Sequence, residues 1–403
     1  MSDTHPLRSF RERNVRIYFA GLAVSNMGRW VHTTAAILLV QELGGGGLEL
    51  GIVTACQFLP VLVLGMYAGA FADRHDRFRL VMGVQAIMGV IAIGLGLVDF
   101  AGNESILVIY LFTAALGLVA TFDNPARRTL ATELVPADQL ANIVALSTSV
   151  MVGSRIAGPA LAVLVVSRFG TAWAFTFNGI SFLAVIVSML VLDRTRFHPI
   201  EAAEPSDTPI RDGIREVWSR PGLPFMLAGF AVVSTCTYNY LVGFPLLVDE
   251  RLDAEPEMFG WLLTTMSVGN VVGSLTAARL TIADRRFIFR AAFVLGSALT
   301  VISLSTSLLV TFAFAVIMGA GSTAFINGMN IHIQQQTAPS ARGRVMALTT
   351  VIFQGSTPIG APITGAIGDA FGAVWASLYG AIAALCFVAA GLANRTRRRP
   401  ATT

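Results

Sequence analysis

The sequence contains no lysine: all 28 of its basic residues are arginines. Charged residues make up only 13% of the 403 residues, whereas soluble proteins of this size carry about 25%. Apolar residues make up 54% of the chain. This composition excludes an ordinary soluble domain and predicts an all-α membrane protein with many spans.

The missing lysine also removes the nucleotide-binding motif G-x-x-x-x-G-K-[ST], so an ATP-driven pump is excluded. The three cysteines, Cys56, Cys236 and Cys386, stand singly in apolar segments, without the spacing of a metal site or a disulfide framework. No catalytic triad stands out either. We therefore expect no enzyme activity, metal, nucleic-acid partner, ATP or other cofactor, and leave coupling to protons or another ion open.

Twelve apolar segments have about the 20 residues needed to cross a bilayer. They lie at about residues 15–40, 50–71, 80–98, 105–122, 141–166, 172–192, 224–248, 257–278, 287–304, 308–333, 345–368 and 373–394. The longest polar stretch, residues 193–222, follows the sixth segment. Its second part, Ile210–Ser219, has the apolar spacing of a short amphipathic helix. Such a helix would lie on the membrane surface or pack on protein.

Arginines segregate strongly between the two sides of these twelve segments. Twenty-four of the 28 fall on one side, and the opposite connections contain only Arg168 and Arg251 together with ten acidic residues. Because positive charge accumulates in cytoplasmic loops, both termini are predicted to be cytoplasmic. The expected location is the plasma (inner) membrane of a prokaryote.

The two halves of the chain repeat. At an offset of 202 residues, nine of 29 positions are identical between residues 145–173 and the second half, including Phe169-Gly170 with Phe371-Gly372. Two like-oriented six-helix bundles, residues 1–192 and 223–403, are therefore predicted, joined by the linker 193–222. Such parallel repeats are related by a pseudo-two-fold axis along the membrane normal.

The connection between the second and third segments, Gly69–Arg79, has the spacing G-x-x-x-D-R-x-x-R-x-R. It resembles the corresponding loop of major facilitator superfamily transporters. The segments Phe122–Arg128 and Pro339–Met346 resemble one branch of that superfamily, which contains siderophore exporters, macrolide efflux proteins and a lysophospholipid flippase. A generic positively charged loop is the alternative interpretation of Gly69–Arg79.

This resemblance implies a cytoplasmic gate and a helix-packing motif. The implied gate residues are Gly69, Asp73, Arg74, Arg77, Arg79, Asp123 and Arg127. Asp73 is expected to accept a neighbouring arginine and to lie at a helix N-terminus, where the dipole favours a carboxylate. In the fifth segment, Gly153, Gly158 and Pro159 resemble a loose form of the antiporter motif. Ordinary glycines for helix packing are the alternative.

Two arginines, Arg29 and Arg155, lie near the centres of the first and fifth segments, where a charge costs about 2.5–3.5 kcal/mol. No carboxylate lies at the centre of any segment, so the two arginines predict an electropositive cavity and an anionic substrate. Arginines bonded to backbone carbonyls for purely structural reasons are the alternative. The complete set of predicted cavity residues is Asn26, Arg29, His32, Thr33, Arg155, Tyr238, Asn239, Asn327, Asn330 and Gln354.

Together these features predict a monomeric secondary active transporter that exports a small amphipathic or anionic molecule, of drug or siderophore type, by alternating access in the lipid bilayer. If protons are coupled, His32, Asp73 or Asp123 must carry them. Three other functions are left open: a lipid flippase, an uptake facilitator for an organic anion, and a membrane sensor that transports nothing.

Overall fold

The computed structural model describes residues 8–198, 209–278, 283–338 and 341–397. These residues form helices and no strand. The helices are α1 (Arg13–Glu42), α2 (Gly47–Arg74), α3 (Arg77–Phe100), α4 (Ile106–Glu133), α5 (Leu140–Phe169), α6 (Thr171–Val191), α7 (Pro209–Ser219), α8 (Leu223–Thr237), α9 (Tyr240–Leu246), α10 (Met258–Ala278), α11 (Arg285–Leu304), α12 (Leu308–Gln336), α13 (Arg342–Phe371) and α14 (Ala373–Arg397).

Ten helical segments of the described chain are long and apolar enough to cross a membrane, and one of them joins α8 and α9 into Leu223–Arg251. The two other long helices, α1 and α13, complete the predicted set of twelve. Polar residues explain why these two are less apolar: α1 carries Asn26, Arg29 and His32, and α13 carries Gln354 in its middle. The all-helical fold predicted from composition is confirmed.

The chain divides into two compact units. The first contains Met1–Gly44 and Cys56–Pro205, and the second contains Gly45–Ala55 and Ser206–Thr403. The first turns of α2 thus group with the second unit, although the predicted division of the chain lay wholly within the linker.

In the first unit, α1 packs between α5 and α6, and α3 packs against α4 and α6. Glycines permit the closest approaches: a Cβ on Gly28 would overlap the Ser181 side chain, and one on Gly158 would overlap Trp30. Large side chains such as Tyr18 and Phe182 fill the remaining core. Bundles held by small residues in this way are typical of membrane proteins, because lipid supplies no hydrophobic force between helices.

In the second unit, α12 packs against α10 and α11, and α14 packs against α11 and α8. The helix bounds reproduce the sequence repeat, since α5 and α13 are both 30 residues long and both end at a Phe-Gly pair. Gly170 and Gly372 end these helices with φ of +87° and +89°, a region that side chains disfavour. The repeated glycines therefore serve the same turn.

The predicted amphipathic helix of the linker is present as α7, which packs on α13 and α8. Val217 is buried, whereas Ile214 is partly exposed and Trp218 is 75% exposed. The helix therefore contacts protein through one edge and leaves apolar side chains uncovered on the other. Residues 199–208 of the linker lie outside the described residues.

Candidate substrate and gating sites

A buried charged cluster lies between α1, α3 and α4 of the first unit. Asp123 of α4 is fully buried, and its Oδ1 accepts a hydrogen bond of 2.8 Å from Nε2 of Gln85 on α3. Its Oδ2 lies 2.7 Å from Nη2 of Arg127, one helical turn later, and Arg127 is itself buried. The hydroxyl of Tyr18 on α1 donates to the Arg127 carbonyl. Asp123 is thus held by one cation and one amide.

Arg29 of α1 is the third charged member of this cluster. Its Nη1 lies 3.9 Å from Oδ2 of Asp123, and its side chain is 30% exposed. Two guanidinium groups therefore share one carboxylate, which leaves a formal charge of +1, and Arg29 has the longer contact. Arg29 was predicted to be uncompensated, with Asp123 in a separate gate. That separation is wrong, because α4 brings Asp123 beside Arg29.

The other predicted cavity residues of α1 do not share a common neighbour. Thr33 is buried and accepts a hydrogen bond of 3.0 Å from Nε2 of Gln57 on α2. His32 is buried edge-on to the ring of Phe175 on α6, at 4.9 Å between ring centres. Within the described part of the chain, neither ring nitrogen of His32 has a hydrogen-bond partner. Asn26 is half-buried.

Arg155 of α5 is positioned by an aromatic ring of α1. Its guanidinium carbon lies 5.4 Å from the ring centre of Trp30, within range of a cation–π interaction. Gly158 and the buried Pro159 lie one turn later, where Gly158 allows Trp30 to pack closely. Gly153 differs from the prediction: it is exposed, and a Cβ there would meet no described atom within 4 Å.

In the predicted gate, sequence analysis missed one close contact. Arg77 forms a close ion pair with Glu133 at the end of α4, and both side chains are largely buried. Asp73, by contrast, is 57% exposed and lies 4.0 Å from Arg77. The available signal was an acid at the end of the fourth segment, on the same predicted side as Arg77.

Asp76 performs the helix-capping role that was expected of Asp73. Its Oδ1 accepts a hydrogen bond of 3.0 Å from the backbone N–H of Arg79 at the start of α3. Asp73 instead lies in the last turn of α2, at a helix C-terminus, so the expected position of Asp73 at a helix N-terminus is wrong. Arg74 and Arg79 are exposed, and a Cβ on Gly69 would meet no described atom within 4 Å.

The connection after α6 contacts neighbouring helices at this end of the first unit. The backbone N–H of Asp193 donates to Oδ1 of Asn14, and the Asp193 carbonyl accepts from Asn14 Nδ2. Hydrogen bonds from the hydroxyl and backbone N–H of Thr195 lower the pKa of the Asp193 carboxyl group. Arg194 places its guanidinium 3.6 Å from the ring centre of Phe78 on α3. These contacts tie α6 to α1 and α3.

In the second unit, Tyr238 and Asn239 interrupt the seventh span between α8 and α9. The Tyr238 hydroxyl donates to the Ser322 carbonyl of α12 at 3.0 Å. Nδ2 of Asn239 donates to the Thr235 carbonyl at 2.6 Å and to the Tyr379 hydroxyl of α14 at 3.3 Å. The break is therefore stabilised by polar contacts to neighbouring helices.

The Tyr379 hydroxyl also lies 2.5 Å from Oγ1 of Thr364 on α13, which extends the network. Beside the break is a cavity of about 10 Å³, enough for the centre of one water molecule, lined in part by Thr237, Asn239 and Ser377. Sequence analysis missed Thr364 and Tyr379, since neither stands near Asn239 along the chain.

The remaining predicted residues of the second unit do not join this network. Asn327 and Asn330 are half-buried on α12, and Gln354 is exposed on α13. Among the described residues, no group of three or more His, Cys, Asp or Glu side chains is placed to hold a metal ion.

Comparison with known proteins gives consistent matches over nearly the whole chain. The family described as transmembrane secretion effector matches residues 4–402. The Staphyloferrin A transporter of Staphylococcus aureus is 20% identical, over 89% of this chain and 90% of its own length. Macrolide efflux protein A of Streptococcus pyogenes is 25% identical, over 94% of this chain and 96% of its own length.

The same agreement is found in three dimensions. The crystal structure of a bacterial homolog of the human lysosomal transporter Spinster, in an inward-facing and occupied conformation, superposes with a TM-score of 0.75. The alignment covers 99% of this chain and all of that chain at 16% sequence identity. At this identity the likeness concerns the fold alone.

Proposed function

The chain belongs to the transmembrane secretion effector family of the major facilitator superfamily, and from this premise we propose that it exports a small anionic or amphipathic molecule from the cytoplasm by alternating access. It is an integral membrane protein of a prokaryote and a transporter. The proposed moving bodies are the halves 1–192 and 223–403 of a monomer, with both termini in the cytoplasm.

The observation that supports an anionic substrate is that Arg127 and Arg29 share Asp123 unequally. Arg127 contacts this carboxylate at 2.7 Å, whereas Arg29 lies at 3.9 Å and is 30% exposed. Coulomb attraction falls with distance and is strong where water is scarce. A substrate carboxylate, catecholate or phosphate that approaches Arg29 more closely than 3.9 Å would therefore attract this guanidinium more strongly than Asp123 does.

We assign the gate to the arginine-rich segment Arg74–Arg79 together with Asp73 and Gly69. The ion pair between Arg77 and Glu133 supports this assignment, because it braces the start of α3 against the end of α4. Coupling to protons would use His32, Asp73 or Asp123, of which Asp123 lies beside Arg29. Protonation of Asp123 would release Arg29 for the substrate.

The test is transport by purified protein in proteoliposomes, with a panel of siderophores, macrolides, lysophospholipids and organic anions. Arg29→Ala should lower transport of the anionic substrate at least tenfold, as the loss of a charge-assisted hydrogen bond implies. Arg29→Lys should retain part of it. Arg168→Ala removes an exposed arginine of the same first unit and is the matched control.

Unchanged transport of every anionic compound by Arg29→Ala would refute the anionic substrate. Transport of lysophospholipid alone would favour the flippase instead. Flux measured in vesicles of both orientations decides between export and uptake.

A further inference from the structure

The start of α2 is bound by a carboxylate from the far end of α13. The two oxygens of Asp369 accept hydrogen bonds from the backbone N–H of Gly47 at 2.6 Å and of Leu48 at 2.8 Å. These are the first two residues of α2, whose N–H groups have no partner within the helix. The helix dipole further favours a negative charge there. Asp369 thus caps a helix that lies 322 positions away in the sequence.

Beside this cap, α2 and α13 touch through their backbones. A Cβ on Gly365 would overlap the Gly47 carbonyl, and a Cβ on Gly51 would lie 2.6 Å from the Ala361 carbonyl. Small residues on both helices permit this approach. The two hydrogen bonds of Asp369 add charge-assisted strength to this contact.

Further along, α2 is bound to a different neighbour. A Cβ on Gly117 of α4 would lie 2.5 Å from the Gln57 carbonyl and 3.0 Å from the Cys56 carbonyl. Pro60 lacks an N–H, so the Cys56 carbonyl has no helical donor four residues later, which weakens α2 at this point. The division between the two compact units falls between Ala55 and Cys56. One helix therefore has its first turns on α13 and its middle on α4, with a proline just beyond the division.

We propose that Asp369 is a positioning residue for transport. It holds the first turns of α2 on α13, and this contact must release in each cycle. The proposal rests on the alternating-access function proposed above. In that function α2 belongs to the first moving half and α13 to the second, and a contact between backbones with one charged cap is suited to repeated separation.

The experiment measures the α2–α13 distance directly, without substrate. In protein with Cys56, Cys236 and Cys386 replaced by serine, spin labels are attached at Leu48→Cys and Phe371→Cys, two exposed positions, and distances are recorded in lipid nanodiscs. Asp369→Asn should increase the separated population by about tenfold, as expected for loss of one charge-assisted cap. Asp369→Glu should restore most of the short distance, and Glu255→Gln, an exposed acid before α10, should change nothing.

A second pair of variants tests the backbone contact independently of the charge. Gly365→Ala should increase the separated population, because its methyl group would overlap Gly47, whereas Gly343→Ala on the same helix meets no described atom within 4 Å. Unchanged distances in both Asp369→Asn and Gly365→Ala overturn the proposal. These distances are measured without substrate. Unchanged distances would therefore refute the role of Asp369 without affecting the transport test of Arg29→Ala, so the two proposals can fail independently.

Discussion

Replacing Asp123 by asparagine tests whether the buried cluster is ionised and stabilising. The side chain is fully buried and its Oδ2 lies 2.7 Å from Arg127, which is 7% exposed. Asparagine retains the shape and the bond to Gln85 but leaves Arg127 without an anion. Removing one partner of a buried ion pair costs about 3–5 kcal/mol, because the remaining charge stays in a medium of low dielectric.

The assay is thermal unfolding of the purified protein in detergent, followed by intrinsic fluorescence. For a unit of about 200 residues each kcal/mol corresponds to about 2–4 °C, so Asp123→Asn should lower the unfolding temperature by roughly 6–20 °C. The matched control is Asp73→Asn, which removes an exposed carboxylate 4.0 Å from Arg77 and should cost under about 1 kcal/mol.

A double variant separates charge from shape. Asp123→Leu combined with Arg127→Met removes both partners and should recover much of the stability lost in Asp123→Asn, since apolar replacements of a buried pair are often neutral. If Asp123→Asn unfolds within about 2 °C of the unchanged protein, the carboxyl group is not an ionised partner of Arg127. The argument from Arg29 to an anionic substrate would then lose its basis.

Three further predictions concern the gate and the helix contacts. Arg77→Ala should destabilise the protein by about 1–3 kcal/mol in thermal unfolding, because it leaves a largely buried acid unpaired, while Arg79→Ala at an 85% exposed position should change it by less than about 0.5 kcal/mol. Asp76→Ala should cost about 1 kcal/mol through loss of the α3 cap, and equal stability would show that the cap is dispensable. Gly117→Ala should cost about 1–3 kcal/mol, because its Cβ would lie 2.5 Å from a carbonyl of α2, whereas Gly153→Ala should be neutral or slightly stabilising. The same unfolding temperature for both glycine variants would contradict the close approach of α4 to α2.

Some site residues were predictable because their chemistry is improbable in a membrane. Arg29 and Arg155 stand out in any apolar segment, since burying a charge is costly, and both lie within the first unit beside polar or aromatic partners. For Asp73 and Asp76, by contrast, the sequence could not predict which residue has which role. Both stand in the same short connection, and only the end of α2 at Arg74 and the start of α3 at Arg77 decide which one caps a helix.

The sequence by itself determined the all-helical fold, the number of long segments and the repeat, because apolar length and period are local properties that the bilayer imposes on every span. Tertiary structure alone decided that Asp123 lies beside Arg29, that Glu133 rather than Asp73 is the close partner of Arg77, and that Asp369 caps α2. These pairs join residues on different helices, and their distances depend on how each helix is rotated and how closely glycines let it approach its neighbour. Composition and spacing along the chain do not fix these distances between helices.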